Sequence, residues 1–429
     1  MKLLRRVYEG LLAASEAHAK WEMQIARNIV SSRKRLFILG LIAAPALIFA
    51  VSFAASGGEL PHILGGKSAY APAFYSTKIF LISVIIGLCA GLITGCIGAG
   101  GGFVITPALM SAGIKGILAV GTDLFHIFAK AIMGTAVHRK LGNVCVGLAI
   151  AFLVGSTIGV TVGGTLNRAI YEYNPVLSDL FISIVYVLLL GFLGIYAFVD
   201  FMKLRKSGVE VGAHHGESPK GTKAATGKVG LPARLQSVSI PPTIKFDMDL
   251  VPGGKRISAW FVGAAGFIVG LVAAIMGVGG GFLTFPIFVY VLGVSSFTTV
   301  GTDIFQIIFT AGYASISQYA IYGFIFYTLA MGMLLGSLLG IQVGALTTKV
   351  VKGMYIRGFY ATAILAGFLN RLFALPGKLV HLKVLTMSSA SVKTFNVIGN
   401  SVFFVLVGIF GIWVLSKFVG NLRILRGEV

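Results

Sequence analysis

The chain has 429 residues, of which 56% are hydrophobic and only 11% are charged. Soluble globular proteins carry about twice that share of charged residues, so the composition excludes a soluble domain and favours a polytopic membrane protein. The formal net charge of +21 does not indicate nucleic acid, because the basic residues cluster in loops and tails, as in the cytoplasmic loops of membrane proteins.

The N-terminal segment, residues 1–35, carries eight Lys and Arg residues, and its apolar residues recur at broadly helical spacing. This pattern predicts a basic amphipathic helix that lies on the inner membrane surface. Residues 36–56 are the first apolar run to reach the roughly 20 residues that a helix needs to cross a bilayer. We expect an extra first span there.

A first group of apolar segments covers residues 79–202. It begins with residues 79–97, is interrupted by a glycine cluster and continues as a short run to about Met110. Further spans are predicted at about 118–137, 143–166 and 178–202.

Residues 203–256 form the one long polar segment, with ten Lys and Arg residues against four Asp and Glu. Its first part has the composition of a flexible linker. The stretch Leu235 to Leu250 alternates in part between apolar and polar residues, which predicts a small hairpin on the membrane face. The charge predicts a cytoplasmic loop.

A second group of apolar segments covers residues 257–376. It begins with residues 257–276, is broken by its own glycine cluster and returns to about Leu292. Spans are predicted at about 298–320, 323–347 and 358–376, and a final span at 398–420. Arg371 falls late in one of these spans, where we expect it to reach the membrane surface.

The glycine cluster occurs twice. Residues 98–107 read GAGGGFVITP, and residues 277–286 read GVGGGFLTFP. Each copy is followed at similar spacing by Gly-Thr-Asp, with Asp123 in the first copy and Asp303 in the second. A repeat this long, with glycines and prolines at matching places, predicts two homologous halves.

The distribution of charge decides how the glycine clusters are threaded. If each interrupted segment crossed the membrane once, the two basic regions, 1–35 and 203–256, would lie on opposite sides. If each segment turned back at its glycines, both regions would lie inside, as the positive-inside rule requires. We therefore predict an all-α inverted repeat with about eight full spans and two re-entrant hairpins, in a bacterial-type cell membrane with both termini cytoplasmic.

The broken segments carry the functional argument. Non-helical backbone at membrane depth persists only where it lines a polar cavity or is buried in protein. A short helix begins after each cluster, so its free N–H groups and positive dipole end point at the break and predict an anion site. The alternative is that the glycines serve only close helix packing. Two aligned copies favour the site, formed by Gly98, Gly100, Gly101, Gly102, Gly277, Gly279, Gly280 and Gly281, with Pro107 and Pro286 as coupling or structural residues.

The Gly-Thr-Asp turns add polar groups on both sides. The hydroxyl groups of Thr122 and Thr302 could donate hydrogen bonds to an anion. Ionised Asp123 and Asp303 would repel one, which leaves two roles open. They cap the following helix, or they carry protons that couple transport.

A basic residue, Lys130, lies within the helix predicted to follow the first Gly-Thr-Asp turn. Lys130 follows His126 by about one helical turn and Asp123 by about two, so the three side chains share a face. Lys130 either pairs with Asp123 as part of the structure or lies beside an anion path. We count His126, Lys130 and Gln306, the counterpart of His126, as candidate substrate-binding residues.

The paired GxGGGFxxxP segments, each followed by Gly-Thr-Asp, resemble the TauE/SafE (sulfite exporter-type) family of membrane transporters. The resemblance covers residues 79–376, and Arg139 to Val144 (RKLGNV) also looks like that family. Many members have Ser where this chain has Asp123 and Asp303. The resemblance implies export of small anions, often sulfite, sulfoacetate or related sulfur compounds.

These observations predict a secondary transporter or exporter for a small anion, with sulfite or an organosulfonate as the expected substrate. A passive anion channel, or a membrane-embedded scaffold or enzyme, is the alternative. No catalytic motif is present, and we expect no cofactor and no metal. The coupling ion stays open, with protons as one candidate, and so does a homodimer.

Overall fold

The computed structural model describes residues 62–68, 77–97, 101–140, 144–207, 231–247, 254–347, 350–351 and 353–421. The first group of helices comprises α1 (Thr77–Ile97), α2 (Gly102–Ser111), α3 (Gly116–Lys140), α4 (Val146–Tyr173) and α5 (Pro175–Ser207). The second group comprises α7 (Ala259–Met276), α8 (Gly281–Pro286), α9 (Ser296–Tyr313), α10 (Tyr327–Thr347) and α11 (Gly353–His381), and α12 (Ser389–Gly420) follows. Helices α8 and α9 continue as π-helical turns over Ile287–Leu292 and Ala314–Ala320.

A small structure lies between the two groups. It consists of the short helix α6 (Leu231–Ser237) and two antiparallel strands, β1 (Thr243–Phe246) and β2 (Lys255–Ser258). The hairpin predicted over Leu235 to Leu250 is therefore wrong in its extent. The strands pair where they do because Phe246 and Ile257 can be buried there in an apolar cluster.

Seven of the described helices, α1, α4, α5, α7, α10, α11 and α12, are long and apolar enough to cross a membrane. This confirms the predicted all-α polytopic membrane class. An unbroken helix satisfies its own backbone hydrogen bonds, which hydrocarbon cannot do. The expected first span, 36–56, and the basic segment 1–35 lie outside the described residues.

Helices α1 and α10 pack with their backbones almost in contact. A Cβ atom added to Gly336 would lie 2.0 Å from the carbonyl oxygen of Val84, and one added to Gly344 would lie 2.5 Å from that of Leu92. The residue numbers rise together along the two helices, so they run in the same direction. Only glycine allows helix axes to approach so closely.

Helices α4 and α7 pack in the same way. A Cβ atom on Gly155 would lie 1.8 Å from the carbonyl oxygen of Gly263, and one on Gly163 would lie 2.5 Å from that of Leu271. In the sequence repeat, α7 corresponds to α1 and α4 corresponds to α10. The same parallel pair is therefore formed twice, once by α1 and α10 and once by α4 and α7.

Helices α5 and α11 correspond to each other in the repeat and pack together in opposite directions. A Cβ atom on Gly191 would lie 3.0 Å from the ring of Phe368, and one on Gly358 would lie 2.8 Å from the ring of Phe201. A helix that packs antiparallel against its own counterpart is what a twofold relation between the halves produces.

Candidate functional site

Each short helix begins after a glycine in the left-handed region of backbone conformation. Gly101 precedes α2 with a φ of 72°, and Gly280 precedes α8 with a φ of 84°. Gly277 and Gly279 also have positive φ angles, 79° and 66°. A residue with a Cβ atom adopts this region at a cost of about 1–2 kcal/mol. The chain therefore needs glycine to turn sharply here.

We call the turn at Gly101–Gly102 and the turn at Gly277–Gly281 the two glycine turns. They lie against each other. A Cβ atom on Gly102 would lie 2.9 Å from the Cα atom of Val278, in the middle of the other turn. One on Gly277 would lie 2.7 Å from the Cα atom of Val120. At these positions the glycines do serve close packing, and the same packing brings both breaks to one place.

A buried aspartate faces the first residue of each short helix. The Asp123 Oδ2 atom lies 3.2 Å from where a Cβ atom of Gly102 would be, and the Asp303 Oδ2 atom lies 3.0 Å from that of Gly281. Helices α3 and α9 begin about two turns before these residues, and Ser295 caps α9. The capping interpretation is therefore wrong. The carboxylates stand instead at the positive ends of α2 and α8.

Asp123 belongs to a chain of buried polar groups in the first half. The hydroxyl group of Thr106 on α2 donates to Asp123 Oδ2 at 3.0 Å. His126 Nδ1 lies 3.6 Å from Asp123 Oδ1, and the other ring nitrogen lies 2.9 Å from the hydroxyl oxygen of Ser337 on α10. All four side chains are fully buried.

Lys130 lies on the same helix face, as predicted, and is 8% exposed. Its ammonium group donates to the hydroxyl group of Thr94 at 3.4 Å. The Thr94 Oγ1 atom lies 2.6 Å from where a Cβ atom of Gly101 would be. Lys130 therefore places a positive charge one side chain away from the first glycine turn.

The second half has a corresponding chain of buried polar groups beside Asp303, and its other members are neutral. The Gln306 amide donates to Asp303 Oδ1 at 2.8 Å. The Thr310 hydroxyl group donates to Gln306 Oε1 at 2.7 Å and lies 3.0 Å from the hydroxyl oxygen of Ser156. Thr310 is the counterpart of Lys130, and Ser156 is the counterpart of Ser337. Within the described residues, no three His, Cys, Asp or Glu side chains form a group that could hold a metal ion.

The two threonines of the Gly-Thr-Asp turns accept hydrogen bonds from backbone. Thr122 Oγ1 accepts from the N–H group of Phe326, just before α10, at 3.0 Å. Thr302 Oγ1 accepts from the N–H group of Cys145, just before α4, at 3.0 Å. Each threonine thus joins its helix to the start of a helix in the neighbouring pair, while its own hydroxyl proton stays available for donation.

The two prolines lie within the short helices. Pro107 is buried inside α2, and Pro286 ends α8, where the π-helical turn begins. Proline has no N–H group to donate to the preceding turn, which explains why these helices are short or irregular. The remaining predicted site glycines, Gly98 and Gly100, lie outside the described residues.

Sequence reasoning missed the position of Arg371. The residue was expected at the membrane surface, but its side chain is only 2% exposed. Its guanidinium group donates to the carbonyl oxygen of Pro107 at 3.2 Å, to the hydroxyl group of Ser111 at 2.8 Å and to the amide oxygen of Asn370. It thereby ties α2 to α11. The available signal was the polar pair Asn370–Arg371 inside a long apolar run.

The family model of the sulfite exporter TauE/SafE matches residues 83–371. The probable membrane transporter protein YjnA of Bacillus subtilis (strain 168) is 27% identical over 274 residues, which cover 61% of this chain and 87% of that protein. The probable membrane transporter protein YunE of the same organism is 25% identical over 281 residues, which cover 64% and 90%. No solved structure matches the chain significantly.

Proposed function

Because this chain belongs to the sulfite exporter TauE/SafE family, we propose that it moves a small anion across the cell membrane as a secondary transporter. The family is one of membrane transporters, so a small molecule is its substrate and the lipid bilayer its surroundings. We propose sulfite or an organosulfonate as that anion, since the family is named for sulfite export. No enzymatic activity is part of this proposal.

One observation carries the proposal: the two glycine turns lie against each other, and a chain of buried polar groups lies beside each of them. The first N–H groups of α2, at Gly102 and Phe103, have no acceptor within their own helix. Val278, in the turn of the other half, lies against Gly102. Lys130, which donates to Thr94, supplies a positive charge nearby. These groups suit a small oxoanion.

The helix pairings support an inverted repeat with residues 79–202 and 257–376 as its halves. Parallel pairs formed twice, and an antiparallel pair of counterparts, are what such a repeat requires. We propose that the helices flanking each glycine turn form a re-entrant hairpin and that rocking of the halves exposes the central site to each side in turn. The N-terminal segment and the loop 203–256 then lie in the cytoplasm.

The aspartates impose a condition on anion binding. Asp123 and Asp303 face the first residues of α2 and α8, where an anion would bind, and an ionised carboxylate would repel it. At least one carboxylate must therefore be neutral in the anion-bound state. Protons are accordingly the proposed coupling ion.

Uptake of radiolabelled sulfite into liposomes that contain the purified protein tests this function. We expect saturable uptake that unlabelled sulfite or sulfoacetate suppresses and that acetate does not. Protein-free liposomes give the background. Uptake no faster than that background, or equal competition by acetate, would contradict the proposed substrate class.

A further inference from the structure

The repeat allows the polar chains of the two halves to be compared position by position. Their polar chains begin with the same residue, Asp123 in one and Asp303 in the other. The next member is a titratable imidazole, His126, in the first chain and a neutral amide, Gln306, in the second. Positions that the repeat makes equivalent have therefore acquired different acid–base chemistry.

The polar chain of the first half contains a gap that the polar chain of the second half does not. Asp123 Oδ1 and His126 Nδ1 are fully buried and have no hydrogen-bond partner within the described residues. They lie 3.6 Å apart, too far for a hydrogen bond. In the second chain the Gln306 N–H group closes the same gap at 2.8 Å.

The other ring nitrogen explains why the gap is open. The Ser337 hydroxyl group donates its one proton to the carbonyl oxygen of Leu334 at 3.2 Å. When that donation is made, Ser337 accepts from His126, whose single proton then lies on Nε2, 2.9 Å from the Ser337 oxygen. The lone pair of His126 Nδ1 consequently faces the lone pairs of Asp123 Oδ1. One added proton would turn this repulsion into a charge-assisted hydrogen bond.

The groups around the gap are few. On α3 itself the neighbouring charge is Lys130. Helix α5 contributes Tyr186, whose hydroxyl group donates to the carbonyl oxygen of Met276 at 2.6 Å. Beyond Tyr186 lies Arg371 on α11. Among the described residues of α1, α2 and α10, the hydroxyl groups of Thr94, Thr106 and Ser337 lie beside these side chains.

We propose that the gap between Asp123 and His126 binds one transported proton, taken up together with the anion, and that Asp303 binds none. The proton comes from water, forms an N–H or O–H bond at the gap and leaves to water on the other side. It cancels the negative charge that faces Gly102, so the anion and the proton bind together and move in the same direction. This inference rests on the proposed function, which it deepens by naming the proton site and one proton per anion.

Two variants close the gap with a fixed N–H group. His126→Gln reproduces the second half, where an amide donates to the aspartate. Asp123→Asn keeps an oxygen for Thr106 and offers an N–H group to His126 Nδ1. Asp303→Asn is the matched control in the other half. The assay uses liposomes with a trapped pH-sensitive dye and measures protons moved per labelled sulfite.

We expect the proton-to-sulfite ratio to be lower by one in His126→Gln and Asp123→Asn than in the wild type, and unchanged in Asp303→Asn. The proton that hydrogen sulfite itself carries is common to all four proteins and cancels in the comparison. An equal ratio in all four, or a loss in Asp303→Asn alone, would overturn the proton site while sulfite movement upheld the proposed function. A wild type that moves no sulfite would overturn both.

Discussion

Substitution of Gly102 by alanine tests whether the contact between the two glycine turns matters for transport. The added Cβ atom would lie 2.9 Å from the Cα atom of Val278, which is backbone and cannot rotate away, and 3.1 Å from Ile127 Cδ1. Overpacking of this kind costs about 1–3 kcal/mol. If the cost falls on only one of the two alternating states, the population shifts by about 5- to 150-fold.

Gly281→Ala and Gly408→Ala are graded controls. At Gly281 the nearest atoms, both at 3.0 Å, are the ends of the Asp303 and Ile307 side chains, which can move, so we expect a smaller loss. At Gly408 no atom lies within 4 Å, so we expect wild-type behaviour. The assay is the initial rate of sulfite uptake per unit of protein in liposomes. A Gly102→Ala protein as fast as Gly408→Ala would refute the reasoning.

Three further predictions follow from the contacts and the charge pattern. Thr122→Ala removes the acceptor of the Phe326 N–H group and should lower the free energy of unfolding by about 1–3 kcal/mol. Thr122→Ser keeps the hydroxyl group and should not. Thermal unfolding in detergent measures both variants, and equal midpoints would contradict the role assigned to the hydroxyl group. Arg371→Lys keeps the charge but loses the planar fork that donates to Asn370 through both Nε and an Nη atom. The same measurement should therefore show a loss that Lys417→Arg, at an exposed position of α12, does not. Single cysteines that replace Lys228 or Arg139 should react with an impermeant thiol reagent only from the cytoplasmic side, and a cysteine that replaces Tyr322 only from the outside. Reaction of the cysteine at position 228 from the external side would disprove the re-entrant threading.

Much of the fold could be predicted because lipid imposes a strong constraint. Every apolar run of about 20 residues must become a helix, so runs such as 143–166 and 323–347 identified α4 and α10. The ends were less predictable: α5 and α12 extend beyond the predicted apolar runs, and hydropathy alone does not determine where a helix ends. Phe246 pairs with Lys255, which lies beyond the stretch Leu235 to Leu250, so alternation within that stretch could not reveal the pairing.

The candidate site was predictable as a set of residues and less so as a set of contacts. The repeat identified both glycine clusters and both aspartates, and helical spacing placed His126 and Lys130 on one face. Capping by Asp123 was wrong because α3 begins earlier than the Gly-Thr-Asp signal suggested. The depth of Arg371 was missed because its partners, Pro107 and Ser111, lie far away in the sequence.

Counterflow in liposomes tests the central claim, carriage of a small sulfur anion through alternating states, most directly. Liposomes that contain the purified protein are loaded with unlabelled sulfite and diluted into a trace of labelled sulfite. A carrier should accumulate label transiently above its external concentration, because outward sulfite returns the binding site to the outside. Equilibration without this overshoot would indicate a passive channel, and no entry of label at all would contradict sulfite transport altogether.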